Sequence, residues 1–155
     1  MPASLSDTLG SAPLLADGAM GTMLHAHGVQ FDKCFDELNL SQPAAVAEIH
    51  RAYIDAGAQL IVTNTFGANR YKLSQHGLDG RVREINAAGL SLAKRVVDAS
   101  FKDVLIAGDV GPLGVRLAPF GRVKAEQAYA AFREQIEALV EAGAGLIVIE
   151  TMTDL

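Results

Sequence analysis

Asp55-Ala-Gly-Ala-Gln-Leu-Ile-Val-Thr-Asn-Thr65 aligns without a gap with Glu141-Ala-Gly-Ala-Gly-Leu-Ile-Val-Ile-Glu-Thr151, at an offset of 86 residues. Each copy passes from a glycine, placed where a helix stops in the left-handed conformation, into an aliphatic run and then into polar residues. A run of about four apolar residues without polar alternation reads as a strand covered on both faces. Two further runs, Pro13-Leu-Leu-Ala16 and Val104-Leu-Ile-Ala107, resemble each other in the same way, Leu14-Leu-Ala-Asp-Gly18 matching Leu105-Ile-Ala-Gly-Asp109. Alternate strands therefore share a pattern.

Helical periodicity fills the intervals. Ser41-Gln-Pro43 supplies start signals, Val46, Ile49 and Tyr53 recur on one face, and Gly57 closes the segment. Val82, Ile85, Gly89, Leu92 and Val96 mark a second helix; Ala125, Ala128, Phe132, Ile136 and Leu139 mark a third that stops at Gly143. The expected class is α/β, in the order βαβαβαβ with parallel strands and right-handed crossovers. Odd and even strands contribute alternate interior layers in a (β/α)8 barrel, which suits the alternating pattern; a doubly wound sheet is the competing architecture. A complete barrel takes about 250 residues. Four strands in 155 residues thus read as the first half of a (β/α)8 TIM barrel over residues 12–155, behind a flexible tail at residues 1–11. A C-terminal half-barrel or a second copy would be needed to cover the two open edges.

Composition narrows the function classes. Half the residues are hydrophobic and 20% are charged, which excludes global disorder. A net charge of −5 gives no basic footprint for nucleic acid or anionic lipid. No apolar run approaches the roughly 20 residues of a membrane span, and the first eleven residues lack a secretory pattern, so a cytoplasmic chain is expected. Cys34 is the one cysteine, too few for a disulfide or a multi-thiolate metal site within the chain.

Parallel α/β folds bind ligands at the carboxyl ends of their strands. Those ends read Asp17-Gly-Ala-Met-Gly-Thr22, Thr63-Asn-Thr-Phe-Gly67, Gly108-Asp-Val-Gly-Pro112 and Glu150-Thr151, so Asp17, Asn64, Asp109 and Glu150 would ring one mouth. Two carboxylates, Asp17 and Glu150, can hold an ammonium group, and the N–H groups of a Gly18-Ala19 turn can face a carboxylate. The pattern is that of a grip on an α-amino acid. The plainer alternative is that Asp17 and Glu150 cap helices or pair with an arginine. Gly18-x-x-Gly21 lacks the leading G-x-G of a dinucleotide loop. His25 and His27 do not share a helix face, and with His50 and His76 they read as surface histidines. Cys34 reads as a partly buried loop thiol with no local base.

Asp17-Gly-Ala-Met-Gly-Thr22, Asn39-Leu-Ser-Gln-Pro43, Ala56-Gly-Ala58 leading to Thr63-Asn-Thr-Phe66, Gly111-Pro112 and Ile149-Glu-Thr151 occur in this order from about Leu14 onward. Together they resemble the homocysteine S-methyltransferase family. The resemblance implies a (β/α)8 barrel with zinc at its mouth, a homocysteine thiolate attacking a methyl donor, and methionine as product. It further implies that Asp17 and Glu150 meet the homocysteine amino group, that backbone at Gly18 and Ala19 meets its carboxylate, and that Asn64, Thr65 and Phe66 line the pocket. The family's zinc is held by three cysteines of the second half-barrel, including a Gly-Gly-Cys-Cys pair absent here. The implied cofactors are thus zinc in the complete domain and cobalamin or folate through other modules. This chain alone is expected to be inactive. A non-catalytic, self-associating half-barrel or amino-acid-binding module is the alternative.

Overall fold

The structure is a computed structural model that describes residues 9–10 and 12–153. The tail expected at residues 1–11 lies outside the described residues apart from Leu9 and Gly10, which are exposed. In chain order the elements are α1 (Met20–Ala26), α2 (Leu38–Ser41), α3 (Pro43–Asp55), β1 (Leu60–Val62), α4 (Arg70–Ser74), a 3-10 turn (Asp79–Arg81), α5 (Val82–Ser100), β2 (Leu105–Val110), α6 (Ala125–Glu141) and β3 (Ile147–Ile149). The strands form one open parallel sheet in the order β1-β2-β3. Leu60 pairs with Leu105, and Gly108 pairs with Ile147.

The first apolar run departs from expectation. It lies beside β1 in parallel but makes a single bridge, Ala16 to Leu60, rather than a full strand. Leu15 and Asp17 still exchange ladder bonds with β1: the Gln59 N–H donates to Leu15 O at 2.8 Å and the Asp17 N–H to Leu60 O at 2.9 Å. The Leu15 N–H, however, goes to the Gln59 side chain at 3.1 Å. Pro13 has no N–H to offer, and this edge has a neighbour on one side only, so the ladder stops after one bridge. The expected βαβαβαβ order is realised as a bridge and three strands.

Helix ends follow the sequence closely. Pro43 opens α3 at its first turn, and Gly57 (φ +106°) and Gly143 (φ +95°) follow α3 and α6 in the left-handed region. Asn69 caps α4 by accepting from the Tyr71 and Lys72 N–H groups, both at 3.1 Å. Helix α3 packs on β1, and α5 and α6 pack on β2, with α5 also packed on both α3 and α6. Ile54, Ile61, Ala93, Val96 and Val104 join α3, β1 and α5 in a buried cluster. The α5 positions Val82, Ile85, Gly89, Leu92 and Val96 all face inward, as their spacing predicts.

Two expectations are corrected. The buried line of α6 runs through Ala128, Ala131, Gln135, Ala138 and Leu139, whereas Ala125 is exposed and Phe132 and Ile136 are half-buried. The line passes through Gln135 because its amide donates to Thr65 O at 2.7 Å and Asp109 O at 3.4 Å, tying the helix to two strand ends. His50 is a core residue, fully buried on the inner face of α3, with no hydrogen-bond partner on either ring nitrogen. Burial pushes its imidazole down to about 4, so it sits there neutral.

Candidate active site

Successive side chains of a strand point to opposite faces. Ile61 faces the helices, so Leu60 and Val62 face away, and with Val148 of β3 they floor a cavity of about 900 Å³. Its walls are the loops at the carboxyl ends of the strands. Of the residues singled out from sequence, Asp17, Gly18, Ala19, Asn64, Phe66, Asp109 and Glu150 all line it. Thr65 does not: it is fully buried, its hydroxyl lies 2.6 Å from that of Thr63, and it donates to Asp109 O at 2.8 Å. Its place is behind the wall, fastening β1 to β2.

The acidic side is built from three strand ends. Asp17 Oδ2 accepts from the Val62 N–H at 3.1 Å, so this carboxylate stitches the first run to β1 and caps no helix. Ala19 is the N-cap of α1 and makes no side-chain capping bond. Burial pushes the Asp17 carboxyl up to about 6, with the Glu150 charge adding to the shift. Glu150 is exposed; its Oε2 accepts from the Thr151 hydroxyl at 3.1 Å, and it forms no ion pair with an arginine among the described residues. Asp109 is 4% exposed, and its Oδ1 has no donor. Burial, then the neighbouring Glu150 carboxyl, raises its pKa to about 8. The backbone of Asp109 is by contrast fully tied: its N–H donates to Thr63 Oγ1 at 3.0 Å and its carbonyl accepts from Thr65 and Gln135.

The opposite wall comes from the segment before α2. Asn64 donates to Phe35 O at 2.7 Å and to Asn39 Oδ1 at 3.1 Å, while Asn39 donates back to Asn64 O at 2.7 Å. This pair of buried amides locks the two loops together and uses both N–H donors of Asn64, so what its side chain can offer a ligand is the acceptor Oδ1. Asp36 accepts from the Gly67 N–H at 2.8 Å, and burial pushes its carboxyl up to about 6. The Lys72 ammonium stands 4.4 Å from the centre of the Phe66 ring. Cys34 is half-buried on the same wall, its thiol pushed up by burial and by Asp36, the reverse of an activated nucleophile. His25, on α1, and His27, just after it, are exposed, and their Nδ1 atoms lie within hydrogen-bond distance of Val29 O and Met23 O.

Sequence reasoning missed Asp36, the pairing role of Asn39, and Gln135. For Gln135 a signal existed: an amide on the buried stripe of an amphipathic helix must find a partner. Among the described residues no three His, Cys, Asp or Glu side chains converge on a point that could hold a metal ion. The residues present therefore do not by themselves fit a zinc centre.

A model of the family described as homocysteine S-methyltransferase matches residues 14–155. The chain belongs to the homocysteine S-methyltransferase family. It is 32% identical over 160 residues to a methionine synthase of Mycobacterium tuberculosis, covering 97% of this chain and 13% of the relative. A homocysteine S-methyltransferase of Escherichia coli is 32% identical over 154 residues, 90% of this chain and 50% of the relative. The crystal structure of the metallated homocysteine methyltransferase MmuM from Escherichia coli superposes with a TM-score of 0.81 at 28% identity, over 95% of this chain and 57% of that one. The oxidised form gives 0.83 over 97% and 57%. The chain thus spans half or less of the curated relatives named here. No described helix is long and apolar enough to cross a membrane.

Proposed function

We propose that this chain is the homocysteine-binding half of a methyltransferase that methylates the homocysteine thiol to give methionine. The observation that carries the reading is one cavity at the strand ends with Asp17, Asp109 and Glu150 beside the Gly18-Ala19 backbone, in a chain of this family. An α-amino acid placed there directs its ammonium to the carboxylates and its carboxylate to the turn. The side chain then extends over Leu60, Val62 and Val148, an apolar floor that suits a thioether-length group.

The sequential order, with the first run beside β1 and no reversal, favours the wall of a (β/α)8 barrel over a doubly wound sheet, whose order reverses at a switch point. Residues 12–155 are then its first half. Zinc, when bound in the complete domain, would supply a Lewis acid for the thiol. Its ligands would be cysteines outside this chain, because Cys34 alone cannot make a three-thiolate site. The residues described here bind and orient the substrate, and we expect no turnover from them alone. Cobalamin or folate would enter through other modules, and a cytoplasmic setting fits this chemistry.

A second reading, a self-associating half-barrel, is favoured by the apolar exposure of both sheet edges: Leu15 is 57% exposed and Ile149 61%. Calorimetric titration of the intact protein with homocysteine tests the first. Asp17→Asn and Glu150→Gln should each weaken binding about tenfold or more, the loss of one charge-assisted hydrogen bond. Unchanged affinity in both removes the proposed grip.

A further inference from the structure

We infer that Asp109 is a third carboxylate of the ammonium grip and releases a proton when an α-amino acid binds. The inference rests on the proposed function and deepens it. An ammonium group has three N–H donors. Asp17, Asp109 and Glu150 line one cavity from three strand ends. Asp17 and Glu150 lie near enough to act on the Asp109 carboxyl, so that side of the cavity offers a carboxylate for each donor. Asp109 is the buried member, and its Oδ1 is left without a donor while its backbone is fully bonded. A carboxyl group buried without a partner is costly unless it is protonated or awaits a ligand.

The groups facing Asp109 explain which of these holds. Glu150, after β3, lies close enough to share a hydrogen bond with it, and Asp17 and Asp36 add negative charge from the first run and from the segment before α2. From β1 it meets the neutral Thr63 and Thr65, and from α6 the neutral Gln135. Lys72 and His76, on the far wall, act on Asp36. With three carboxylates around it and no cation in contact, Asp109 holds a proton in the free protein. An incoming ammonium replaces that proton: the carboxyl O–H bond breaks, the proton leaves to solvent, and the ammonium keeps all its own protons and donates one hydrogen bond to each carboxylate.

Norleucine is the probe, because it has the α-amino acid head and no thiol whose ionisation could add a second proton. Titration of the intact protein at pH 7 in phosphate and in Tris should give enthalpies differing by about one proton released per ligand. Affinity should rise between pH 7 and 8, by at most about tenfold per pH unit for one linked proton. This window lies above the titration of Asp17 and Asp36. Asp109→Asn should still bind norleucine, without the buffer dependence and with a flat profile. Binding with no proton release in the unmutated protein overturns the inference and leaves the amino-acid reading intact, as does release that persists in Asp109→Asn. Absence of norleucine binding overturns both.

Discussion

The two copies of the Ala-Gly-Ala-x-Leu-Ile-Val segment share their local geometry and almost none of their surroundings. In the first, the N–H groups of Ala56, Gly57 and Ala58 donate to the carbonyls of Ala52, Ile54 and Tyr53; in the second, those of Ala142, Gly143 and Ala144 donate to Ala138, Val140 and Leu139, which are the matching positions. Both glycines lie near φ +100°. Yet β1 lies between the first run and β2, with Ile61 fully buried, while β3 is an edge whose residues are all half-buried or exposed. Position 64 is a buried asparagine whose N–H donors bind the neighbouring loop; its counterpart, Glu150, is an exposed carboxylate on the same cavity. Local sequence sets the turn. Position in the sheet sets what the turn delivers.

The sharpest way to break this contrast is to shorten the same side chain in both copies. Ile61→Ala should cost about 4 kcal/mol in urea unfolding and Ile147→Ala about 1 kcal/mol, since truncation costs scale with burial and with the cavity left behind. Equal losses would mean that β3 is covered in solution, by the rest of a barrel or by another copy.

The next comparison uses the helices that precede the copies. His50 of α3 corresponds to Ile136 of α6. A histidine held near 4 in the fold and near 6.5 unfolded binds its proton earlier in the unfolded state, so its contribution is intact above 6.5 and lost as pH falls toward 4. The loss amounts to about 3 kcal/mol. His50→Ile, which makes the first helix match the second, should remove that acid-side loss. The stability difference between the two proteins across this range isolates the effect, because the buried carboxyls of Asp17 and Asp36, raised in the fold, gain stability as pH falls in both proteins alike. A constant difference would place the imidazole in water.

The smallest effect is an expected equality. Gly57→Ala and Gly143→Ala should each cost about 1 kcal/mol, because both demand the same left-handed backbone. The new Cβ meets open space at position 57 and only the flexible end of Lys94, which can shift, at position 143. A clear inequality in thermal unfolding would show that sheet position reaches into the turn.

What could be read from the residues follows the same division. The aliphatic runs, the helix faces of α3 and α5, the glycine stops and the gathering of Asp17, Asp109 and Glu150 were legible because each depends on spacing within one segment. The truncated first strand, the burial of His50 and the inward turn of Gln135 depend on partners far along the chain. Asp17 is the instructive case: helix capping and ligand binding read alike in sequence, and the bond to the Val62 N–H distinguishes a third role. The pairing role of Asn39 leaves no mark in its own segment, because its partner, Asn64, is 25 residues away.

Tyr53 reaches from α3 to the rim of the cavity, where its hydroxyl donates to Ala19 O at 3.0 Å. A Cβ placed on Gly18 would stand 3.0 Å from the Tyr53 hydroxyl oxygen. The tyrosine therefore clamps the Gly18-Ala19 turn, and any side chain at position 18 would push the ring aside by a few tenths of an ångström. The ordering entropy of that turn is settled when α3 docks, before any ligand arrives, so association has less disorder left to remove. Tyr53→Phe would return that freedom to the turn and slow capture of an amino acid without touching a single group that contacts it.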